Sequence, residues 1–341
     1  MIDLRSDTVT QPTAGMLEAM YTAPLGDDVF AEDPSVIALE CEVAVRFSQE
    51  AGLFFPSGTM ANLAALKAHT QPFDEVLLSD LAHIYHYEVG GYAAIAGVSA
   101  KLLPGVLGII DAHEVTKNIQ PQHDWTTRTT LLAIENTVNK GGGSVYTLAQ
   151  MQALQAVAAM HGVKYHLDGA RIFNACLSQG YTTQQVGVLF DSISICFSKG
   201  LGAPVGSVLV GRFDFIKKCR RIRKALGGGM RQAGMLAAAC SYSLQHITPL
   251  LAHDHRRTRQ LEQVLQQLSY IEILLPAPTN ILIFTLKQNI DANHFLAYLT
   301  ANNIRAVSFG GQQVRFVLHH QIDDSMVASV AEVLQAYHFM N

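Results

Sequence analysis

Short apolar runs that each end in a polar or charged residue recur along the first two thirds of the chain. Three of them follow one another at regular spacing: residues 130–134 before Glu135, residues 163–167 before Asp168, and residues 192–197 before Lys199. Apolar runs of this length are typical of buried strands. Residues 76–79 and 204–210 predict two further strands of the same kind.

A helix with a clear beginning and end separates the first two of these three strands. Thr147 and Gln150 have the spacing of a capping box, and Gly162 is a typical residue after a helix C-terminus. Strand–helix–strand units of about thirty residues imply parallel strands joined by right-handed crossovers. The three polar strand ends are therefore expected at one edge of one sheet.

The pattern changes near residue 245. The later chain predicts a helix through residue 265, strands at 271–275 and 280–286, a helix near 292–302, a strand at 313–318 and an amphipathic helix at 323–338. This mixture is typical of a smaller α+β domain. The sequence therefore predicts an α/β protein with an N-terminal arm (1–15), a large domain around a mainly parallel sheet (16–245) and a small C-terminal domain (246–341).

Composition narrows the class of protein. The 341 residues are 49% hydrophobic and 15% charged, with a formal net charge of −4, which indicates a globular protein and no general affinity for nucleic acid or acidic membranes. The most apolar stretch, 92–110, is interrupted by Lys101 and Pro104 and does not predict a membrane span. Five scattered cysteines without a C-x-x-C pair predict reduced thiols, a cytoplasmic protein and no metal site.

Charged segments flank these elements. Acidic residues cluster at 3–10 and 26–34, and polar arms of this kind favour a solvated loop or cap. Residues 217–224 form a basic run interleaved with apolar residues, which favours a solvated helix face over a nucleic-acid site.

Lys199 is the only charged residue in the stretch 192–207, just past a predicted strand. Ligands of open α/β sheets bind at that end of the strands. Gly200, Gly202 and Gly206 leave little bulk around its amine, so Lys199 could form a Schiff base with a carbonyl, and a surface lysine is the alternative. The G-x-G-x-x-x-G spacing before a predicted strand argues against a dinucleotide-binding loop.

Asp168 ends the predicted strand before Lys199. A Schiff-base lysine and an aspartate that keeps a pyridinium nitrogen protonated are typical of pyridoxal-phosphate enzymes, although Asp168 and Arg171 could instead form a structural salt bridge. Residues 57–59 (Ser-Gly-Thr) open a predicted helix, which they could cap or use to bind a phosphate.

Three further residues are candidates for a site. His83 and Glu88 lie close together just beyond the strand at 76–79, which favours a functional role. Arg315 lies between Val314 and Phe316 on a predicted strand. Its charge needs a carboxylate partner, from the protein or from a substrate.

Seven motifs, in this order, resemble those of the low-specificity L-threonine aldolases, which are fold-type-I pyridoxal-phosphate enzymes. They lie at residues 3–10, 26–34, 57–59, 135–137, 167–175, 198–207 and 227–232. The resemblance runs from residue 3 to the C-terminus. It implies an aminotransferase-like large domain, pyridoxal 5′-phosphate as cofactor, and a homo-oligomer, typically a tetramer, with sites at subunit interfaces.

The resemblance also assigns cofactor contacts by position. Lys199 would hold the cofactor covalently, Asp168 would pair with its ring nitrogen, and Arg171 would lie near its phenolic oxygen. Ser57, Gly58 and Thr59 would bind its phosphate. Arg231 would reach that phosphate from a neighbouring subunit, and His83 would stack on the ring.

The implied substrate site is less regular. Ser6, Arg171 and Arg315 would hold the substrate, with Ser6 and Arg315 gripping its carboxylate, and His83 or a water held by Glu88 would act as the base. Phe30, Trp125 and Val138 stand where the family commonly has other residues, histidine in the case of Trp125 and Val138. These positions would handle the β-hydroxyl and side chain of the substrate.

The implied reaction is retro-aldol cleavage of L-threonine, L-allo-threonine or related β-hydroxy-α-amino acids to glycine and an aldehyde. One alternative is a pyridoxal-phosphate β-eliminating lyase of aromatic amino acids, which would release pyruvate and ammonia. The other is a non-catalytic pyridoxal-phosphate-binding protein, against which the presence of Lys199, Asp168 and Arg315 argues.

Overall fold

The computed structural model describes residues 1–337 and is built around a seven-stranded sheet. In chain order its strands are β2 (Ala51–Phe55), β3 (Asp74–Ser79), β4 (Ser99–Leu103), β5 (Arg128–Glu135), β6 (Lys164–Gly169), β7 (Ser192–Cys196) and β8 (Ser207–Gly211). Their order across the sheet is β2-β8-β7-β6-β5-β3-β4, and only β8 runs against the other six. This confirms the predicted α/β fold with a mainly parallel sheet.

The helices of this part pack on the sheet. They are α1 (Ala14–Tyr21), α2 (Pro34–Arg46), α3 (Gly58–His69), α4 (His83–His86), α5 (Ala112–Asn118), α6 (Leu148–Met160), α7 (Ile172–Gln179), α8 (Thr183–Gly187), α9 (Phe213–Ala225) and α10 (Gly234–His246), with a π-helical turn at Tyr92–Ala96. The capping box predicted at Thr147 and Gln150 begins α6, and Gly162 follows it with a φ of +66°. Local sequence therefore specifies the crossover between β5 and β6.

The later chain forms a four-stranded antiparallel sheet covered by helices. Its elements are α11 (Leu251–Leu265), β9 (Ile271–Leu274), β10 (Ile281–Leu286), α12 (Ala292–Ala301), β12 (Val307–Ser308), β13 (Gln313–Val317) and α13 (Asp324–Gln335). β1 (Ile2–Asp3) pairs with β11 (Ile304–Arg305), so the N-terminal arm lies against this part. The final helix was predicted at 323–338, and residue 338 lies outside the described residues.

Buried apolar side chains divide between the two sheets. One cluster runs from Met16 to Leu251, and a second joins Leu4 to residues 261–337. This division is consistent with the predicted arm, large domain and small domain, whose boundaries stay predictions. Among residues 1–337, no helix combines the length and the apolar character that a membrane crossing requires.

Two expectations about charged segments hold only in part, although Asp33 does cap α2. Three acidic side chains of the supposedly solvated arm, Asp7, Asp28 and Asp33, are buried. On α9 most basic side chains of the run 217–224 are exposed as expected, but Arg223 is buried. Its Nη2 donates to Asp28 at 2.6 Å and its Nη1 to the Phe54 carbonyl. A buried charge is costly unless it is paired, so Asp7 and Asp28 have arginine partners that their local sequence does not reveal.

Candidate active site

The carboxyl ends of the parallel strands bring the predicted residues together. Glu135 at the end of β5 lies opposite Asp168 on β6, and Asp168 lies opposite Ser194 on β7. Lys199 follows β7 in a tight turn that includes Gly202 (φ +76°) and Gly206 (φ +135°), conformations that favour glycine. Convergence at one sheet edge is thus confirmed.

Two cavities meet at Lys199. They share Thr8, His83 and Lys199 in their walls. The inner cavity, of about 140 Å³, is lined in addition by Gly58, Thr59, Asn62, Glu88, Asp168 and Ser194. The outer cavity, of about 410 Å³, is lined in addition by Ser6, Tyr87, Asn139, Arg171, Phe309 and Arg315. Lys199 therefore lies between a smaller inner cavity and a wider outer one.

His83 and Glu88 form a hydrogen-bonded pair beside Asp168. His83 Nδ1 lies 3.1 Å from a Glu88 carboxylate oxygen. Burial lowers the pKa of His83, but its hydrogen bond to Glu88 and the charge of Asp168 outweigh this, so that the pKa lies above 6.5. Burial raises the pKa of Glu88. With Nδ1–H donated to Glu88, the lone pair on Nε2 is left to accept a proton.

A ring nitrogen of His83 and carboxylate oxygens of Glu88 and Asp168 lie within 4.8 Å of one another, a spacing that metal sites also use. Here the two carboxylates share an amide donor, since Asn62 Nδ2 donates to Glu88 at 2.9 Å and to Asp168 at 2.8 Å. Hydrogen bonds therefore account for the cluster. That the protein has no metal site stays a prediction.

Glu135 connects the two walls of the outer cavity. One carboxylate oxygen accepts from the His83 N–H at 2.8 Å and the other from the Asn139 N–H at 2.9 Å. Asn139 in turn accepts from Arg315 Nη1 at 2.9 Å. Burial and the charge of Asp168 raise the pKa of Glu135 to about 7. Glu135 thus fixes His83 and Arg315 relative to each other.

Arg315 is held with its cationic head in the outer cavity. Its Nη2 donates to the Arg5 carbonyl at 2.9 Å, and its guanidinium carbon lies 4.8 Å from the Phe309 ring centre. Burial lowers the pKa of Arg315 to about 10, so the group stays charged at neutral pH. Among the described residues its buried Nε has no hydrogen-bond partner. A charged head with spare donors fits a carboxylate ligand.

Arg171 lines the outer cavity but is committed to Asp7. Its Nε and Nη2 donate to the two Asp7 oxygens at 2.8 and 2.7 Å, and both side chains are buried. Thr10 ties the same arm to the Lys199 turn by donating to the Lys199 carbonyl at 3.1 Å. The N-terminal arm is therefore part of the site wall.

The beginning of α3 suits a phosphate. Ser57 Oγ accepts from the Met60 N–H and does not line either cavity, which is the capping role. Within residues 1–337 the N–H groups of Gly58 and Thr59 have no acceptor. Ser207 Oγ is buried without a partner there, 3.6 Å from the point a Cβ on Gly58 would occupy. Unpaired donors at a helix N-terminus bind phosphate well.

Four residues that the resemblance assigns to the site line neither cavity. Val138 is fully buried, bridges to Ser144 and packs among apolar neighbours. It lines neither cavity, and its role in handling the substrate stays a prediction. Trp125 stacks on His123 before β5 begins. The eight residues of β5 span roughly 23 Å, so Trp125 lies far from Glu135 at the other end of that strand. The guanidinium carbon of Arg231 lies 5.8 Å from the centre of the Phe30 ring, and neither residue lines either cavity.

Other residues of the site were missed. Asp7, Asn62 and Asn139 were not predicted, although each contacts a predicted residue. Asn62 lies among Ala and Leu in the first turns of α3, and this pattern could have revealed it. A polar side chain on an apolar helix face is expected to have hydrogen-bond partners. No local signal distinguishes Asp7 from its acidic neighbours.

The His83–Glu88 pair makes a pH prediction. His83 must be neutral to accept a proton, so activity should rise with pH through a value above 6.5. Glu88→Gln removes the negative charge that favours the charged imidazole, so the acid limb of kcat/KM should move to lower pH. We expect kcat to fall roughly 10-fold, because a neutral amide stabilises the imidazolium less well than a carboxylate does. The control is Glu114→Gln, on the surface of α5, whose pH profile should match the parent; an unmoved limb in Glu88→Gln would contradict the pairing.

The donors at α3, the acceptor Asp168 and the central Lys199 define a class, the fold-type-I pyridoxal-phosphate enzymes. The sequence profile of the beta-eliminating lyases matches residues 3–289. The chain is 40% identical to low-specificity L-threonine aldolase 1 of Arabidopsis thaliana, over 96% of this chain and 93% of that one. It is 37% identical to the low specificity L-threonine aldolase of Escherichia coli strain K12, over 99% of both.

A solved structure shows the same fold. The threonine aldolase of Leishmania major superposes with a TM-score of 0.84 at 21% identity, over 98% of this chain and 99% of that one. The chain belongs to the low-specificity L-threonine aldolase family, within the beta-eliminating lyases.

Proposed function

We propose that the protein is a carbon–carbon lyase that splits L-threonine, L-allo-threonine or related β-hydroxy-α-amino acids into glycine and an aldehyde. The observation that carries this is the outer cavity, where the base candidate His83 and the carboxylate-binding candidate Arg315 are fixed through Glu135 and Asn139. Relatives named for this reaction support it.

The residues present fit pyridoxal phosphate. Gly58 and Thr59, with Ser207 behind them, would hold the phosphate, Asp168 would accept from the ring nitrogen, and Lys199 would hold the aldehyde carbon. When bound, the cofactor supplies a sink for the negative charge that develops at the substrate Cα. The inner cavity has the acceptor, the donors and the amine on its walls.

The outer cavity orients the substrate. Arg315, with Ser6 beside it, would hold the α-carboxylate, and this fixes which bond at Cα stands free to break. His83 Nε2 would take the proton of the β-hydroxyl, while Glu88 stabilises the imidazolium that forms. Loss of that proton converts the β-carbon into an aldehyde carbonyl as the Cα–Cβ bond breaks.

We also propose a cytoplasmic homo-oligomer whose neighbouring subunits complete the site, a tetramer by the family resemblance. Phe30 and Trp125 are 70% and 82% exposed, and within residues 1–337 the one salt bridge of Arg231 is with Asp27 at the surface. Aromatic residues are enriched in protein–protein interfaces relative to the rest of the surface. The five free cysteines suit a reducing compartment.

The test of the proposed reaction is a product assay. Cofactor-loaded protein is incubated with L-threonine, L-allo-threonine, β-phenylserine and L-tyrosine, and glycine and pyruvate are measured separately. Glycine from the hydroxy amino acids, in step with aldehyde, is the expected result. Pyruvate from L-tyrosine without glycine from any substrate would replace the proposal with β-elimination.

A further inference from the structure

A line of polar side chains runs between α3 and the face of the sheet that α3 covers, from His69 to Asp168. Asn62 and His69 lie two turns apart on the face of α3 that covers β6 and β7. Between them stand His166 on β6 and the serines Ser192 and Ser194 on β7, and these three residues with Asn62 are buried. None of them was predicted to belong to the site.

Asn62 occupies the end of this line nearest the cofactor. Its Nδ2 faces two carboxylates, Glu88 at 2.9 Å and Asp168 at 2.8 Å, which can only accept. Its Oδ1 accepts from Ser194 Oγ at 2.6 Å. Two acceptors on one side and a donor on the other leave one possible orientation of the amide.

The orientation of Asn62 determines every hydrogen bond behind it. His166 Nε2 lies 3.3 Å from Asn62 Oδ1 and must donate to it. His166 Nδ1 is then an acceptor, and Ser192 Oγ, at 2.8 Å, donates to it. His69 Nε2, 2.8 Å from the same hydroxyl, donates in turn. All donors in the chain point toward Asp168.

The environment of the two histidines suits these roles. Burial lowers the pKa of His166 to about 4, so the ring is neutral and has one donor and one acceptor nitrogen. His69 is partly buried and stacks on Phe215 with ring centres 4.2 Å apart, which fixes its plane. Hydrogen bonds that follow one another in one direction strengthen each other in a buried setting.

We propose that Asn62, His166, Ser192 and His69 are a positioning chain that keeps Asp168 an ionised acceptor for the cofactor's ring nitrogen and, through the same Asn62 amide, holds Glu88 toward His83. The chain acts on both the cofactor and the base because Asn62 contacts the carboxylate of each. The inference rests on the cofactor site and not on which bond the enzyme breaks.

The test is the pH titration of the bound cofactor's visible absorbance, without substrate. In Asn62→Leu, the Asp168 carboxylate loses a hydrogen bond that stabilises its charge, so it takes up the proton of the ring nitrogen more readily and leaves that nitrogen neutral. Loss of that positive charge lets the covalent link at Lys199 keep its proton to higher pH. We expect the midpoint to rise by about one pH unit, and kcat/KM to fall at least about 10-fold.

Other titratable groups face Asp168 and remain in the variant. They are His83, Glu88, Glu135, His166 and Lys199. A change in the midpoint on Asn62→Leu is therefore assigned to the amide, because these groups are unaltered in sequence.

A second pair of variants keeps the inference testable if Asn62→Leu does not fold. Ser192→Ala interrupts the chain behind His166, and we expect a smaller rise of the same midpoint. Ser243→Ala is the matched control, since Ser243 is equally buried and donates only to the Cys240 carbonyl on α10. A midpoint in Ser192→Ala equal to that in Ser243→Ala, or a folded Asn62→Leu with the parent's midpoint, would overturn the positioning chain.

Discussion

Lys199→Ala is expected to abolish turnover. The residue stands where the two cavities meet, and no other described lysine lines either of them. Without its amine the covalent hold on the cofactor is lost, and with it the group best placed to move protons at the substrate Cα. We expect kcat to fall by a factor on the order of 10⁴ or more.

The measurement pairs activity with borohydride reduction of the cofactor-loaded protein. The parent should acquire a stable cofactor adduct on the peptide that contains residue 199, and Lys199→Ala should not. Lys287→Ala, an exposed lysine after β10, is the control and should behave as the parent. A Lys199→Ala protein that keeps both turnover and the adduct would show that another amine carries the cofactor.

Asp7→Asn is expected to cause the largest loss of stability. The carboxylate is fully buried and holds Arg171 through two hydrogen bonds, with Asn280 Nδ2 at 3.4 Å as a further donor. Removing one charge of a buried pair leaves the other without compensation, which costs about 3–5 kcal/mol of unfolding free energy. Urea unfolding of the cofactor-free protein measures it.

The same experiment contains its control. Asp3 and Arg5 form a pair of similar length on the surface, 2.6 Å between nitrogen and oxygen, and solvent screens such pairs. Asp3→Asn should therefore cost less than about 1 kcal/mol. The double variant Asp7→Asn with Arg171→Met should recover part of the loss, since it removes both buried charges. Equal losses in Asp3→Asn and Asp7→Asn would contradict the argument.

The Asp7–Arg171 pair also makes stability depend on pH. Burial raises the pKa of Asp7, but the charge and hydrogen bonds of Arg171 outweigh it and hold the pKa at about 2, below the ordinary 3.8. A carboxyl whose pKa is lower in the folded state stabilises the fold above its unfolded pKa. This contribution is fully present above about pH 4 and is lost as pH falls toward 2. Asp7→Asn should lack that part of the acid dependence.

The sequence predicted the centre of the site because topology alone brings it together. Glu135, Asp168 and Lys199 each follow a strand of a parallel sheet, and parallel strands present their carboxyl ends at one edge. Apolar periodicity, a capping box and turn glycines suffice to place those strands. No side-chain pairing needs to be known.

What the sequence could not predict are contacts between residues far apart in the chain. Local sequence predicts that Asp7 is a loop residue, and only the structure shows its pairing with Arg171, 164 residues away. Asn62 reads as a helix residue until the sheet supplies His166 and Asp168. Local pattern indicates which face of an element is buried, but not which polar partner it meets there.

Val138 and Trp125, which differ from the residues common in the family, show what a motif position cannot predict. Val138 occupies a motif position implied to face the substrate, yet an apolar β-branched side chain beside a tight bridge packs more favourably in the core. Trp125 precedes β5 rather than following it, so within one chain it cannot reach Lys199. Position in a motif determines the backbone location, while the chemistry of the side chain determines its environment.

The most direct test of the account is a crystal structure of the cofactor-loaded protein with glycine bound. We expect the cofactor to lie against Lys199, with Asp168 within hydrogen-bond distance of its ring nitrogen. The carboxylate of the bound glycine should lie on Arg315 in the outer cavity. Glycine bound away from Arg315, or a cofactor whose ring nitrogen faces a group other than Asp168, would contradict the proposed site.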